Sequence, residues 1–174
     1  HPMFHDLLAA RLRHELPREV PRLRRRAARW FAQTGRTGEA VLQWAIVGDW
    51  QRASSVVVEQ IAVARLLGES PHGLARHFDR MPADLPGRAP AIIAAAMALH
   101  RHDPDGAEKH LARADELLDE GPPGLGDVTR LQHAVLTLVH ARVIGDVERG
   151  LAVAQDAASL LAKVTTTGRD VPGE

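Results

Sequence analysis

Apolar residues recur along this chain three and four positions apart and seldom in strict alternation, so the pattern predicts helices rather than strands. Over residues 3–15, Phe4, Leu7, Leu8 and Leu12 form one stripe, with Pro2 near the helix start, where a missing N–H does no harm. Pro17 interrupts. A second helix is expected over 18–34, burying Leu23, Ala27, Trp30 and Phe31 and stopped by Gly35. A third, over 38–47, is expected to bury Ala40, Val41, Trp44 and Ala45, and a fourth runs over 50–67. A short helix over 73–80 comes next, then the loop MPADLPGRAP, whose three prolines argue against regular structure.

From Ala91 the pattern becomes regular. AIIAAAMALHR predicts a helix packed with small residues, against which a neighbour can approach closely. DPDGAEKHLARADELLDE follows, capped by Asp103 or Asp105, with Ala107, Leu111, Ala114, Leu117 and Leu118 as its stripe. The loop GPPGLG separates it from DVTRLQHAVLTLVHARVI, and DVERGLAVAQDAASLLAKV forms the last helix before TTTGRDVPGE, which is expected to fray. Two of these stretches align without a gap at an offset of 43 residues: HDPDGAEKHLARADELL from His102 and GDVERGLAVAQDAASLL from Gly145. They share a turn residue plus Asp, a small residue five positions on (Ala107, Gly150), alanine twelve positions on (Ala114, Ala157), and then Leu-Leu. GDWQRA at Gly48 and GRTGEA at Gly35 echo the turn and the alanine. A helix-turn-helix unit cannot bury its apolar face alone and must stack on its neighbours. The expected fold is all-α, a tetratricopeptide-like α-solenoid of antiparallel helix hairpins.

Composition agrees with helix. Ala, Leu and Arg dominate, tyrosine is absent and aromatics make up 3% of 174 residues, and small or unbranched side chains lose little rotamer freedom in a helix. The absence of cysteine excludes disulfides, thiol catalysis and zinc-thiolate sites. No stretch approaches the roughly 20 uninterrupted apolar residues of a membrane span. The net charge of +0 conceals an asymmetry: residues 1–36 hold nine arginines against Asp6, Glu15 and Glu19, so the remainder is acidic. A basic N-terminal section against an acidic body makes contact between the two plausible.

Candidate chemistry is sparse. The run RLRRRAARW puts Arg22, Arg25 and Arg29 on one helix face, which could meet phosphates. With Trp30 and Phe31 expected on the buried stripe, no stacking platforms interleave with them, and a solvated or domain-contacting face is the better reading. Among ten histidines, His1 and His5 lack a carboxylate at ligand spacing, and His100 and His102 lie at a helix end. His133 and His140, seven apart, share a face with Thr137 and form the polar stripe that could line a groove. There is no GxSxG elbow, no HExxH, and no GxxxxGK[ST], since neither Lys109 nor Lys163 follows glycine. The three tryptophans, Trp30, Trp44 and Trp50, are expected as core anchors. No catalytic residue, bound cofactor or metal site is expected.

The opening HPMFHDLLAARLRHEL, with RRAARWFAQTGRTGEAVLQWAIVGDWQRAS after it, resembles a segment of the large ATP-dependent LuxR/MalT-type transcriptional regulators. The resemblance rests on His1, Pro2, Phe4 and Leu8, then Ala28, Trp30, Phe31 and Gly35, then Ala45, Gly48, Asp49 and Trp50. It covers residues 1 to about 60; beyond that the chain is similar only as a degenerate helical-repeat region. Gln43 stands where many relatives have histidine. The resemblance implies an internal piece of a larger protein: residues 1–34 as the last helices of a winged-helix or junction region, 35–164 as the helical-repeat region, and 165–174 as a frayed tail. ATP and DNA would then be bound only by other modules of the parent, with DNA read by a C-terminal domain outside this chain.

The functional expectation is a non-enzymatic sensor and interaction segment of a cytoplasmic regulator, with His133, Thr137 and His140 on the surface that meets an inducer small molecule or regulatory protein. Other domains of the parent are expected partners, as is a second copy through exposed N-terminal helices; no membrane is. The alternative is a free-standing helical-repeat adaptor that binds peptides.

Overall fold

The structure, a computed structural model, describes residues 10–11, 14–68, 73–118 and 125–167. Among these are seven α-helices and no strands. They are α1 (Glu19–Gln33), α2 (Thr37–Ile46), α3 (Trp50–Glu59), α4 (Arg88–His100), α5 (Pro104–Leu118), α6 (Leu125–Ile144) and α7 (Val147–Thr167). Consecutive helices pack as antiparallel pairs, so the fold is an all-α, solenoid-like succession of hairpins. Of the helix expected over 3–15, Ala10, Arg11, His14 and Glu15 are helical; the rest lies outside the described residues, as do His1 and His5.

One turn recurs at every tight helix end. A residue one or two positions past the helix end takes positive φ: Gly35 (71°), Gly48 (70°), Ile61 (51°), His102 (58°) and Gly145 (77°). Each time its N–H and the next one reach back to carbonyls of the last helical turn, as in Gly48 N to Ala45 O and Asp49 N to Trp44 O. This satisfies carbonyls that the helix end would orphan. The next helix then begins with a bond from a small residue: Ala40, Ala53, Ala107 and Gly150 donate to Arg36, Asp49, Asp103 and Asp146. Those are the small residues of the sequence repeat. Asp103 rather than Asp105 caps α5, accepting from Gly106 N at 2.9 Å, and Asp146 caps α7 through Arg149 N at 3.0 Å.

Ile61 is the misfit of that series. A β-branched side chain crowds the backbone at positive φ, and a left-handed residue other than glycine carries a penalty of about 1–2 kcal/mol. Ile61→Gly is therefore expected to stabilise the protein by about 0.5–1 kcal/mol, after the greater freedom glycine gives the unfolded chain. Urea unfolding measures it, and a destabilisation would show that the Ile61 side chain holds more than its half-exposed position implies.

The same turn corrects the expected fourth helix. It stops at Glu59 instead of reaching residue 67, and the remainder is a 3-10 turn, Val63–Leu66. Likewise the helix expected over 73–80 is a single 3-10 turn, Ala75–Phe78. At the far end of the proline loop, α4 starts at Arg88 and takes in Pro90, whose ring fits a first turn because its N–H would be unpaired there anyway. Arg113 of α5 holds that loop down by donating to the carbonyls of Ala83, Asp84 and Leu85. α7 extends to Thr167, past the start of the expected tail at 165, and residues 168–174 lie outside the described ones.

A single core cluster runs from Ala28 to Leu136, so the boundary expected between 34 and 35 falls in a turn across which packing is continuous. α4 is its centre: every residue from Pro90 to Ala98 is buried. Trp44 and Phe78 are buried in the same cluster, and half-buried Trp50 faces Phe78 with ring centroids 6.5 Å apart.

α1 is rotated from the expected orientation. Trp30 is 54% exposed and Leu23 is exposed too, while Ala28 is fully buried. The reason lies in the arginines. Arg24 donates to Gln43 Oε1 at 2.8 Å, and Arg25 stands 3.8 Å from Asp49, so the face carrying them turns towards α2 and the next turn. Their aliphatic stems cover apolar surface while the charged heads find partners. Phe31 stays half-buried, with the Arg36 guanidinium 4.7 Å from its ring centre.

Candidate functional site: a groove over the sixth helix

α5 and α7 flank α6 and leave a groove of about 290 Å³ whose floor is α6. Half-buried His133 and Thr137, itself only 6% exposed, lie on that floor, Leu118 and Val153 form walls, and the carboxylates of Asp115 and Asp156 stand on opposite sides. Helical periodicity places the pair there: positions four apart on α6 project from one face. Mixed apolar walls with a few polar groups suit a small ligand or a side chain of a partner.

His140 is corrected out of this surface. It is 2% exposed, below the interhelical contact and not in the groove. Its Nε2–H donates to Pro104 O at 3.0 Å, and its Nδ1 lies 3.2 Å from Glu108 Oε2, outside hydrogen-bonding geometry. Arg149 Nη1 donates to both oxygens of Glu108 at 3.1 and 2.9 Å. One side chain from each of α5, α6 and α7 thus meets beside the α6–α7 turn and staples the two hairpins together. The physical reason for the correction is that a seven-residue spacing on α6 matches two turns of α5, so both imidazoles reach α5 carbonyls. His133 Nε2–H donates to Leu111 O at 3.1 Å, and Thr137 Oγ1 donates to His133 O at 3.0 Å. What the floor offers a ligand is therefore acceptor capacity and ring surface more than free donors.

Glu108 and Arg149 went unnoticed in the sequence because 41 positions separate them and no local pattern marks either. No sequence signal marks Asp115 or Asp156 either, and only the packing of α5 and α7 on α6 brings them to one groove. Two other histidines, His77 and His110, lie away from the groove, and burial holds both below the usual histidine range, assisted at His110 by Arg113 and Lys109. No group of three or more His, Asp or Glu able to hold a metal ion occurs among the described residues. No described helix is long and apolar enough to cross a membrane.

No family model, curated protein or solved structure matches the chain.

Proposed function

We propose that this chain is a non-catalytic sensor and interaction segment of an ATP-dependent LuxR/MalT-type transcriptional regulator. In this reading the groove over α6 receives an inducer small molecule or a regulatory protein, and the parent is cytoplasmic. The observation that carries the reading is the groove itself, its floor on one hairpin and its wall on the preceding one. A ligand held between two stacked hairpins binds some relative rotations better than others, and that differential affinity biases the state of whatever is attached. The ATP and DNA steps belong to other modules of the parent.

The quoted resemblance over residues 1 to about 60 supports the regulator over a free-standing adaptor. The exposed Leu23 and Trp30, seven apart on α1, with exposed Leu16 just before the helix, support contact between the N-terminal helices and a neighbouring domain or a second copy.

The test uses the full-length regulator with His133→Ala and Thr137→Ala combined, leaving the buried His140 in place. The expected result is loss of most of the inducer or partner response, with ATP hydrolysis and DNA binding retained. An unchanged dose-response curve removes the groove from the mechanism. An open reading frame with no phosphate loop upstream and no helix-turn-helix downstream removes the regulator.

A further inference from the structure

The outer face of α7 corresponds, position for position, to a face of α5 that is already in use. At the 43-residue offset, Pro104, Glu108, Leu111 and Leu118 of α5 correspond to Val147, Leu151, Ala154 and Leu161 of α7. On α5 these positions meet α6: Pro104 O and Leu111 O accept from His140 and His133, and Leu118 is 6% exposed. On α7 Ala154 is half-buried where it borders α6, and the other three are exposed. Leu161, the counterpart of Leu118, is 52% exposed, Leu151 is 65% exposed, and Val147 is exposed as well.

Beside them lies an apolar crevice of about 330 Å³ between α6 and α7, reaching Leu138 and Ala141 on one side and Gly150 and Ala154 on the other. Leu138 and Ala141 are the counterparts of Ala95 and Ala98, which are buried on α4, the other helix on which α6 packs. Crevice and ridge together therefore reproduce the seat that the α4–α5 hairpin offers α6.

We propose that this face is a docking surface for one amphipathic helix, lying antiparallel to α7 in the position α6 takes on α5. The repeat specifies the occupant's chemistry. It presents two hydrogen-bond donors seven residues apart, as His133 and His140 do, to reach the carbonyls of Ala154 and Val147. It is apolar between them. Opposite Leu151, where α5 has Glu108, the donor that reaches Val147 is uncharged, because a cation there would lose solvation with no carboxylate in return. Interdigitation of an apolar helix stripe with such a groove is a recurring mode of recognition. The inference does not depend on the groove over α6 or on the regulator reading.

The probe is a peptide with the sequence of residues 125–144 of this chain, locked helical by a staple on the face away from its two histidines. It is titrated into the isotope-labelled full chain and followed by amide chemical shifts, with helicity of the free peptide checked by circular dichroism. The expected result is saturable binding with shifts on the outer face of α7. Leu151→Glu weakens it at least tenfold while leaving the melting temperature of the protein close to that of the parent, since Leu151 is exposed. Replacing both peptide histidines by alanine weakens it at least threefold, and Leu23→Glu, on the distant α1 stripe, changes nothing. No saturable binding by a helical peptide overturns the proposal. So do shifts confined to α5, which would mean that the probe displaces α6. A dimer of the chain that Leu151→Glu abolishes would make a second copy the occupant and equally overturn it.

Discussion

Phe78→Ala is expected to destabilise the protein by about 3–5 kcal/mol, lowering the melting temperature by roughly 6–20 °C. Phe78 is the largest of the fully buried side chains and is 1% exposed. It is carried not by a long helix but by the single 3-10 turn Ala75–Phe78. Its neighbours belong to regular helices: Trp50 on α3 lies 6.5 Å away ring to ring, and α4 packs against the turn as well. A cavity left between two regular helices closes poorly, so the lost transfer energy is joined by a cavity term. The turn itself has little else to hold it, since a four-residue 3-10 segment makes few internal bonds. Urea denaturation followed by circular dichroism gives the number. A loss below about 1 kcal/mol would mean that the segment between α3 and α4 collapses onto the gap, and that Phe78 is not a keystone.

The second large effect is a contrast between two alanines that occupy the same place in the repeat. Ala114→Leu on α5 is expected to cost about 1–3 kcal/mol by overpacking, and Ala157→Leu on α7 well under 1. Ala114 is fully buried between α4 and α6. Three extra carbon atoms there must push two hairpins apart. Ala157 is only half-buried, because α7 has no described helix on its outer side. Its added side chain can turn outward. Paired melting curves test the contrast, and equal losses at both sites would show that the outer side of α7 is as tightly packed as α5, contrary to the stacking described.

These two cases mark how far the residues alone could be read. The class of structure follows from helical spacing, and so do the four turns at Gly35, Gly48, His102 and Gly145, because glycine or a tolerated residue and a small residue five positions on leave a local signature. Ile61 makes the same turn with no such signature, and α3 consequently ends eight residues earlier than the pattern implied. Hydrophobicity alone places Trp30 in the core, and it lies outside. Periodicity shows that a helix has two faces, but polar partners on another helix decide which is turned inward, and Gln43 and Asp49 give Arg24 and Arg25 theirs. The stripe of His133, Thr137 and His140 was legible as a stripe. That its last member is sealed below the surface was not, since Pro104, Glu108 and Arg149 lie far from it in the chain or across two helices.

What the amino-acid order determined by itself is therefore local. It set where helices form, how most of them stop, and which units are copies of one another, because each of these depends on residues within a turn or two. Only the tertiary structure decided which copy of a shared surface is occupied. Leu118 and Leu161 sit at the same position of the same repeat, yet one is buried and the other open. Burial is a property of the neighbour as much as of the residue, and a neighbour arrives by chain folding rather than by sequence position.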